Sequence, residues 1–116
     1  MKNNLKNIQA LTFDVFGTVV DWRGSIIREM RLFAREKNIK IDVAAFADGW
    51  RAGYQPAMQR VRSGDLPWIN IDALHRIILD DLLKKFSIAN LTEAEKIHLN
   101  KIWHRLKPWP DSVRGL

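Results

Sequence analysis

A single strand-like run at the start of the chain constrains its fold more than any other feature. Residues 8–15, IQALTFDV, are apolar almost throughout, with Asp14 near the end, which reads as one buried strand. FGT, residues 16–18, reads as a turn, since Gly17 can adopt backbone conformations closed to other residues. Everything beyond is helical in pattern. From Gly24 to Lys37 the apolar positions Ile26, Ile27, Met30, Phe33 and Ala34 share one helical face, and Asn38 is a stop signal. Asp42 caps a second expected helix running to about Val61, and SGDLP at 63–67 is a loop by composition. A third helix over 71–86 carries Ile71, Leu74, Ile78, Leu82 and Phe86 on one side. Thr92 and Glu95 form a capping-box pattern for a fourth helix extending to about Leu106. KPWPD breaks that helix, and Asp111 begins another.

A lone strand has no ladder to join, and its backbone donors and acceptors need partners. Crossover folds continue strand–helix–strand, and here no second strand follows. The expectation is therefore the N-terminal portion of a larger α/β protein, its strand belonging to a parallel sheet whose other strands lie outside this chain. The alternative is a small helical domain with the apolar run packed as an extended arm. The 116 residues suffice for one modest domain, and a hydrophobic content of 47% is that of a globular protein. No apolar run approaches the roughly 20 residues of a spanning helix, and MKNNLKNIQ is too polar for a signal peptide. The absence of cysteine removes disulfides and thiolate metal sites. These features fit a cytoplasmic location and no membrane partner.

The position of Asp14 suggests chemistry. A carboxylate at the C-terminal end of a parallel strand lies where α/β folds place their active groups. It can act as a nucleophile, with the following turn aiming backbone N–H groups at it and the Thr18 hydroxyl adding a hydrogen bond. The plainer alternative is an Asp that caps a turn.

FDVFGT, residues 13–18, resembles the first motif of the haloacid dehalogenase superfamily, an apolar strand ending in a nucleophilic Asp with a Gly-Thr pair just after it. GWRAGY at 49–54 resembles the helix that carries the halide-binding Arg of the type II 2-haloacid dehalogenases. The stretch 61–83, VRSGDLPWINIDALHRIILDDLL, resembles their helical cap, and KPWPDSVRGL at 107–116 resembles the return to the core. The resemblance covers nearly all of this chain and about the first half of such an enzyme. It implies an α/β fold, a Rossmann-like core with a helical cap, of which this chain carries only the first core strand and a mostly helical cap segment. Residues 1–20 would be the strand and nucleophile loop, 21–107 the cap, and 108–116 the return segment.

The implied reaction is hydrolysis of short 2-haloalkanoic acids to 2-hydroxy acids through an Asp14 ester, with inversion at C2. Arg51 would stabilise the departing halide, as a guanidinium in a dry pocket can, and Thr18 would support Asp14. Val15, Phe16, Trp50 and Tyr54 would contact substrate, with Trp50 and Tyr54 also read as packing residues. The phosphatase members carry a second Asp two residues after the nucleophile, a general acid and base. Here that position is Phe16. A ring cannot transfer a proton and a leaving halide needs none, so Phe16 favours carbon–halogen cleavage. Alternatives are a phosphatase-like hydrolase, the only case in which Mg²⁺ would enter, and a non-catalytic helical interaction module. On the dehalogenase reading no metal or cofactor is expected. The later Ser or Thr, Lys and acidic residue of the family pattern do not occur before Leu116, so the chain alone is expected to be inactive.

The remaining polar residues read as structural. His75, His98 and His104 form no metal cluster and are expected to be solvated, as are the adjacent Asp80 and Asp81. The net charge of +6 raises nucleic-acid binding, with tryptophans as stacking platforms. Yet Arg60, Arg62, Lys84, Lys85, Lys101, Arg105 and Lys107 are scattered among acids, so a small-molecule 2-haloacid is the expected partner and nucleic acid is not. The family implies a homodimer through cap helices, with the helix at 71–86 as the expected surface.

Overall fold

The structure, a computed structural model describing residues 5–116, is mostly helical. Its elements are β1 (Val20–Asp21), α1 (Trp22–Glu36), α2 (Val43–Ala52), α3 (Tyr54–Arg62), α4 (Ile71–Lys85), α5 (Glu93–Asn100), β2 (Lys107–Pro108) and α6 (Ser112–Gly115), with a 3₁₀ turn at Lys101–His104. No helix among the described residues is long and apolar enough to cross a membrane.

Local chemistry sets the helix limits. Asp21 caps α1, accepting a hydrogen bond from the Gly24 N–H at 2.9 Å. A Cβ at Gly24 would lie 2.2 Å from the Asp21 carboxylate, so the glycine lets the cap close. The helix thus begins at Trp22, two residues before the expected start. Asn38 does end α1. At φ 53° it reverses the chain, and the Ile39 N–H reaches the Ala34 carbonyl at 2.8 Å. Ser87, at φ 56°, closes α4 in the same way, with Ile88 N–H bonded to Leu83 O. Thr92 and Glu95 form the expected capping box of α5.

Two expected helices are divided. The 42–61 helix becomes α2 and α3, because Pro56 has no N–H for the Ala52 carbonyl and sits in the first turn of α3, where none is needed. The 92–106 helix ends at Asn100, whose side-chain amide donates to the Asp72 carbonyl, and tightens into the 3₁₀ turn.

The strand expected over 8–15 is not formed. Residues 9–14 make no backbone hydrogen bond with other described residues, and Leu11, Phe13 and Val15 are 71%, 57% and 47% exposed. Extended chain becomes strand only beside a partner, and no other described segment lies alongside this one. The sheet is instead a two-residue antiparallel pair, Val20 opposite Pro108 and Asp21 opposite Lys107. The buried Ser25 fastens it to α1, its hydroxyl donating to Asp21 O at 2.6 Å and accepting from the Lys107 N–H at 2.9 Å.

The core lies between α1, α2 and α4. Ile26, Met30 and Phe33 meet Phe46 and Trp50, and Leu74, Ile78, Leu79 and Leu82 close the other side with Leu99 and Ile102. The apolar side of α4 is therefore spent inside the chain.

Gly53, between α2 and α3, leaves no room for a side chain: a Cβ there would sit 2.5 Å from Ile78 Cγ2. Gly53→Ala is expected to destabilise the fold by about 1–3 kcal/mol through overpacking, despite the better helix propensity of alanine. A urea unfolding midpoint measures it.

Candidate functional site

The loop from Asp14 to Val20 is a compact turn. Gly17, at φ 93°, lets the chain double back, so that its N–H bonds Val20 O at 2.9 Å. Val15 O accepts from both Val19 N–H and Val20 N–H. This curl brings Thr18 back over the start of the loop, where its hydroxyl donates to Asp14 Oδ2 at 2.7 Å. Asp14 itself is exposed. One carboxylate oxygen is thus oriented by a hydroxyl, and Oδ1 carries no protein hydrogen bond among the described residues.

Two attachments hold the loop. The first is the C-terminal segment. Trp109 donates its indole N–H to Gly17 O at 2.9 Å and its backbone N–H to Val19 O at 3.1 Å, while the Ser112 hydroxyl donates to Val19 O at 2.6 Å. The second is aromatic. Phe16 turns inward and meets Trp103 edge to face, with centroids 5.5 Å apart.

The Trp103 ring lies at the junction of several elements. It stacks on His75 of α4 at 4.3 Å and 18°, meets Trp50 of α2 edge-on at 5.7 Å, and lies near-parallel to Trp22 of α1 at 6.3 Å. Trp50 is fully buried and donates its indole N–H to the His75 carbonyl at 3.1 Å. Expected among the substrate contacts, Trp50 is here a core residue with no exposed surface. Its neighbour Arg51 faces the other way. It is half-buried, makes no ion pair among the described residues, and lies over the Tyr54 ring with its guanidinium carbon 5.2 Å from the centroid.

The expected site residues therefore fall into two groups. Asp14 and Thr18 touch directly, Val15 supplies the carbonyl that closes their loop, and Arg51 and Tyr54 touch each other on the α2–α3 junction. Phe16 and Trp50 connect the groups through Trp103. No hydrogen bond joins Asp14 to Arg51 among the described residues.

His75 departs from expectation. It is only 3% exposed, not solvated, whereas His98 and His104 are exposed and His104 pairs with Asp72 at 2.7 Å. The signal was present in the sequence: His75 is one residue after Leu74 and four before Leu79, on the broad apolar side of α4. Trp109 and Ser112 were also missed as loop partners, since nothing in a linear pattern joins residues more than 90 positions apart. Trp68 is 83% exposed. Among the described residues no three His, Asp or Glu side chains come together as metal ligands.

No protein-family model matches the chain, and no curated protein matches it. Solved structures do. The crystal structure of a defluorinating L-2-haloacid dehalogenase is 45% identical over 90% of this chain, with a TM-score of 0.85, and that of another L-2-haloacid dehalogenase is 46% identical over 89%, with a TM-score of 0.81. An L-2-haloacid dehalogenase from Xanthobacter autotrophicus, with chloropropionic acid covalently bound, shares the fold at 17% identity and a TM-score of 0.66. The chain spans 43%, 44% and 38% of the lengths of these structures.

Burial pushes the His75 imidazole down from 6.5 to about 4. The Asp72 carboxylate opposes this, and the Arg51 and His104 cations add to it. The folded state thus holds His75 neutral while the unfolded chain protonates it near pH 6.5. Its contribution is intact above that pH and is lost as pH falls toward 4, amounting to about 3 kcal/mol. His75→Phe is expected to flatten this part of the stability–pH curve, as followed by urea unfolding at pH 7, 5.5 and 4.5.

Proposed function

We propose that this chain, a partial haloacid dehalogenase by its likeness in sequence and fold, supplies the nucleophile and the halide-binding cation for hydrolytic dehalogenation of short 2-haloalkanoic acids. The observation that carries this reading is the Asp14–Thr18 hydrogen bond on an exposed, glycine-closed loop. The half-buried Arg51, without a carboxylate partner among the described residues, supports it.

In the proposed reaction Asp14 Oδ1 attacks C2 of the substrate from the side opposite the halogen. The carbon–halogen bond breaks with its electron pair, and the halide leaves as an ion toward Arg51. Thr18 holds Oδ2, so one oxygen is oriented and the other is free to form the ester. Water then adds to the Asp14 carbonyl carbon. Collapse of that adduct expels the 2-hydroxy acid and restores the carboxylate. Because only the first step occurs at C2, the configuration there inverts. Phe16 provides an apolar wall and no proton, which suits a leaving group that needs none. Val15 and Tyr54 complete the substrate contacts. The reading involves no metal or other cofactor.

On the same reading residues 1–20 belong to the core's first strand and nucleophile loop, 21–107 form the cap, and 108–116 return toward the core. The hydrogen bonds of Trp109 and Ser112 to the loop support the last assignment. A homodimer through cap helices would use faces other than the apolar side of α4. We place the protein in the cytoplasm, in keeping with its lack of cysteine.

Chloride release from 2-chloropropionate by the protein in its complete form is the direct test. Asp14→Asn is expected to abolish it, and Arg51→Lys, which keeps the charge and loses the planar fork, to lower kcat about 100-fold. Turnover of phosphate esters with Mg²⁺ in place of chloride release would overturn the reading.

A further inference from the structure

The two groups of site residues are joined by a continuous row of rings. From Arg51 the row runs to Tyr54 at 5.2 Å, to His75 at 6.3 Å, to Trp103 at 4.3 Å and to Phe16 at 5.5 Å, two residues from Asp14. Its middle pair, His75 and Trp103, comes from elements that carry none of the proposed reacting groups. Both rings are buried, and neither His75 Nδ1 nor Trp103 Nε1 has a hydrogen-bond partner among the described residues. A buried polar atom left unpaired costs stability, so hydrogen bonding does not account for these two rings in this place. Shape does: two flat, nearly parallel rings fill the space between α4 and the 3₁₀ turn and bear on Phe16 at one end and Tyr54 at the other.

We propose that His75 and Trp103 are a positioning pair whose stacked rings fix the α2–α3 junction carrying Arg51 against the loop carrying Asp14. The pair touches no substrate. It sets the separation between nucleophile and halide-binding cation, and so rests on the dehalogenase reading for its catalytic meaning, though not for its structural one. A displacement of about 1 Å between reacting groups can cost 100-fold in rate, so a stiff spacer is of use here.

The spacer works only with a neutral imidazole. The charged and titratable groups facing His75 are Asp72 of its own helix, Arg51 of α2, Tyr54 of α3 and His104 of the 3₁₀ turn. Arg51 is a cation, and a charged His75, itself buried, would be repelled by it. The depressed imidazole supports the proposal by keeping the ring neutral near pH 7.

The test combines amide exchange at Gly17 and Val20, both bonded within the loop, with turnover of 2-chloropropionate by the protein in its complete form. His75→Phe keeps a flat ring. Its exchange is expected to stay within about 2-fold of wild type and its kcat within about 3-fold. His75→Ala is expected to speed loop exchange about 10-fold or more and to lower kcat about 10- to 100-fold with KM within about 3-fold. A residue that merely filled the core would leave loop exchange and kcat alike in the two folded variants, and that result overturns the proposal. Should His75→Ala not fold, acid decides. Wild-type loop exchange, relative to unstructured peptide, is expected to rise as pH falls toward 4 while that of His75→Phe does not, and equal behaviour overturns the pair. An exchange pattern as expected, with no halide release from wild type, supports the positioning role and counts against the dehalogenase reading alone.

Discussion

Burial of the Trp103 indole is the contact on which the rest of the arrangement depends. Phe16, Trp22, Trp50 and His75 reach it from the Asp14–Val20 loop, α1, α2 and α4. Aromatic pairs of this kind are worth about 0.5–1.5 kcal/mol each beyond the area they bury. The loop has little else to hold it. Its upstream arm is exposed, and its remaining ties are the pairing of Val20 with Pro108 and the hydrogen bonds from Trp109 and Ser112. Without the indole the helices would still share the core of Ile26, Met30, Phe46 and Leu79, but the loop would lose its aromatic contact with them.

Charge is arranged around this centre and not within it. Arg23 pairs with Asp48, Arg76 with Asp80 and Glu93, Lys37 with Glu95, and Arg105 with Glu29. Arg76–Asp80 lies within α4, and the others join α1 to α2, α4 to α5, the end of α1 to α5, and the chain after the 3₁₀ turn back to α1. Partly exposed pairs of this kind add little stability each. They leave the net basic excess of +6 unchanged, and the half-buried Arg51 is among the cations that form no ion pair with another described residue.

Much of the helical part was legible in the sequence. The apolar face of α1, the stop at Asn38, the Asp42 cap and the Thr92–Glu95 capping box all occur where local pattern puts them, because each depends on residues within one or two turns. The division at Gly53 was legible only if Pro56 is given weight against an unbroken apolar pattern. The strand expected at 8–15 is unformed for a different reason: its alternation and apolarity are strand-like, yet a strand is a relation between two segments, and the expected partners lie outside this chain. In the site, Asp14 with Thr18 could be found from FDVFGT, and their hydrogen bond spans only four residues. His75 was missed because histidine was judged by its chemistry and not by its place beside Leu74 and Leu79.

By itself the sequence determined the apolar face of α1 and its stop at Asn38, the caps at Asp42 and Thr92–Glu95, the turn at Gly17 and the Asp14–Thr18 pair, since these are decided by backbone preferences and hydrogen bonds between near neighbours. Only the tertiary structure decided that Trp103 and His75 would stack between loop and helix junction, that Trp109 and Ser112 would close on Gly17 and Val19, and that Trp50 would turn inward while Arg51 stays half-exposed. Those outcomes depend on which distant surfaces exclude water together, and a linear pattern holds no record of how far apart two residues lie once the chain has folded.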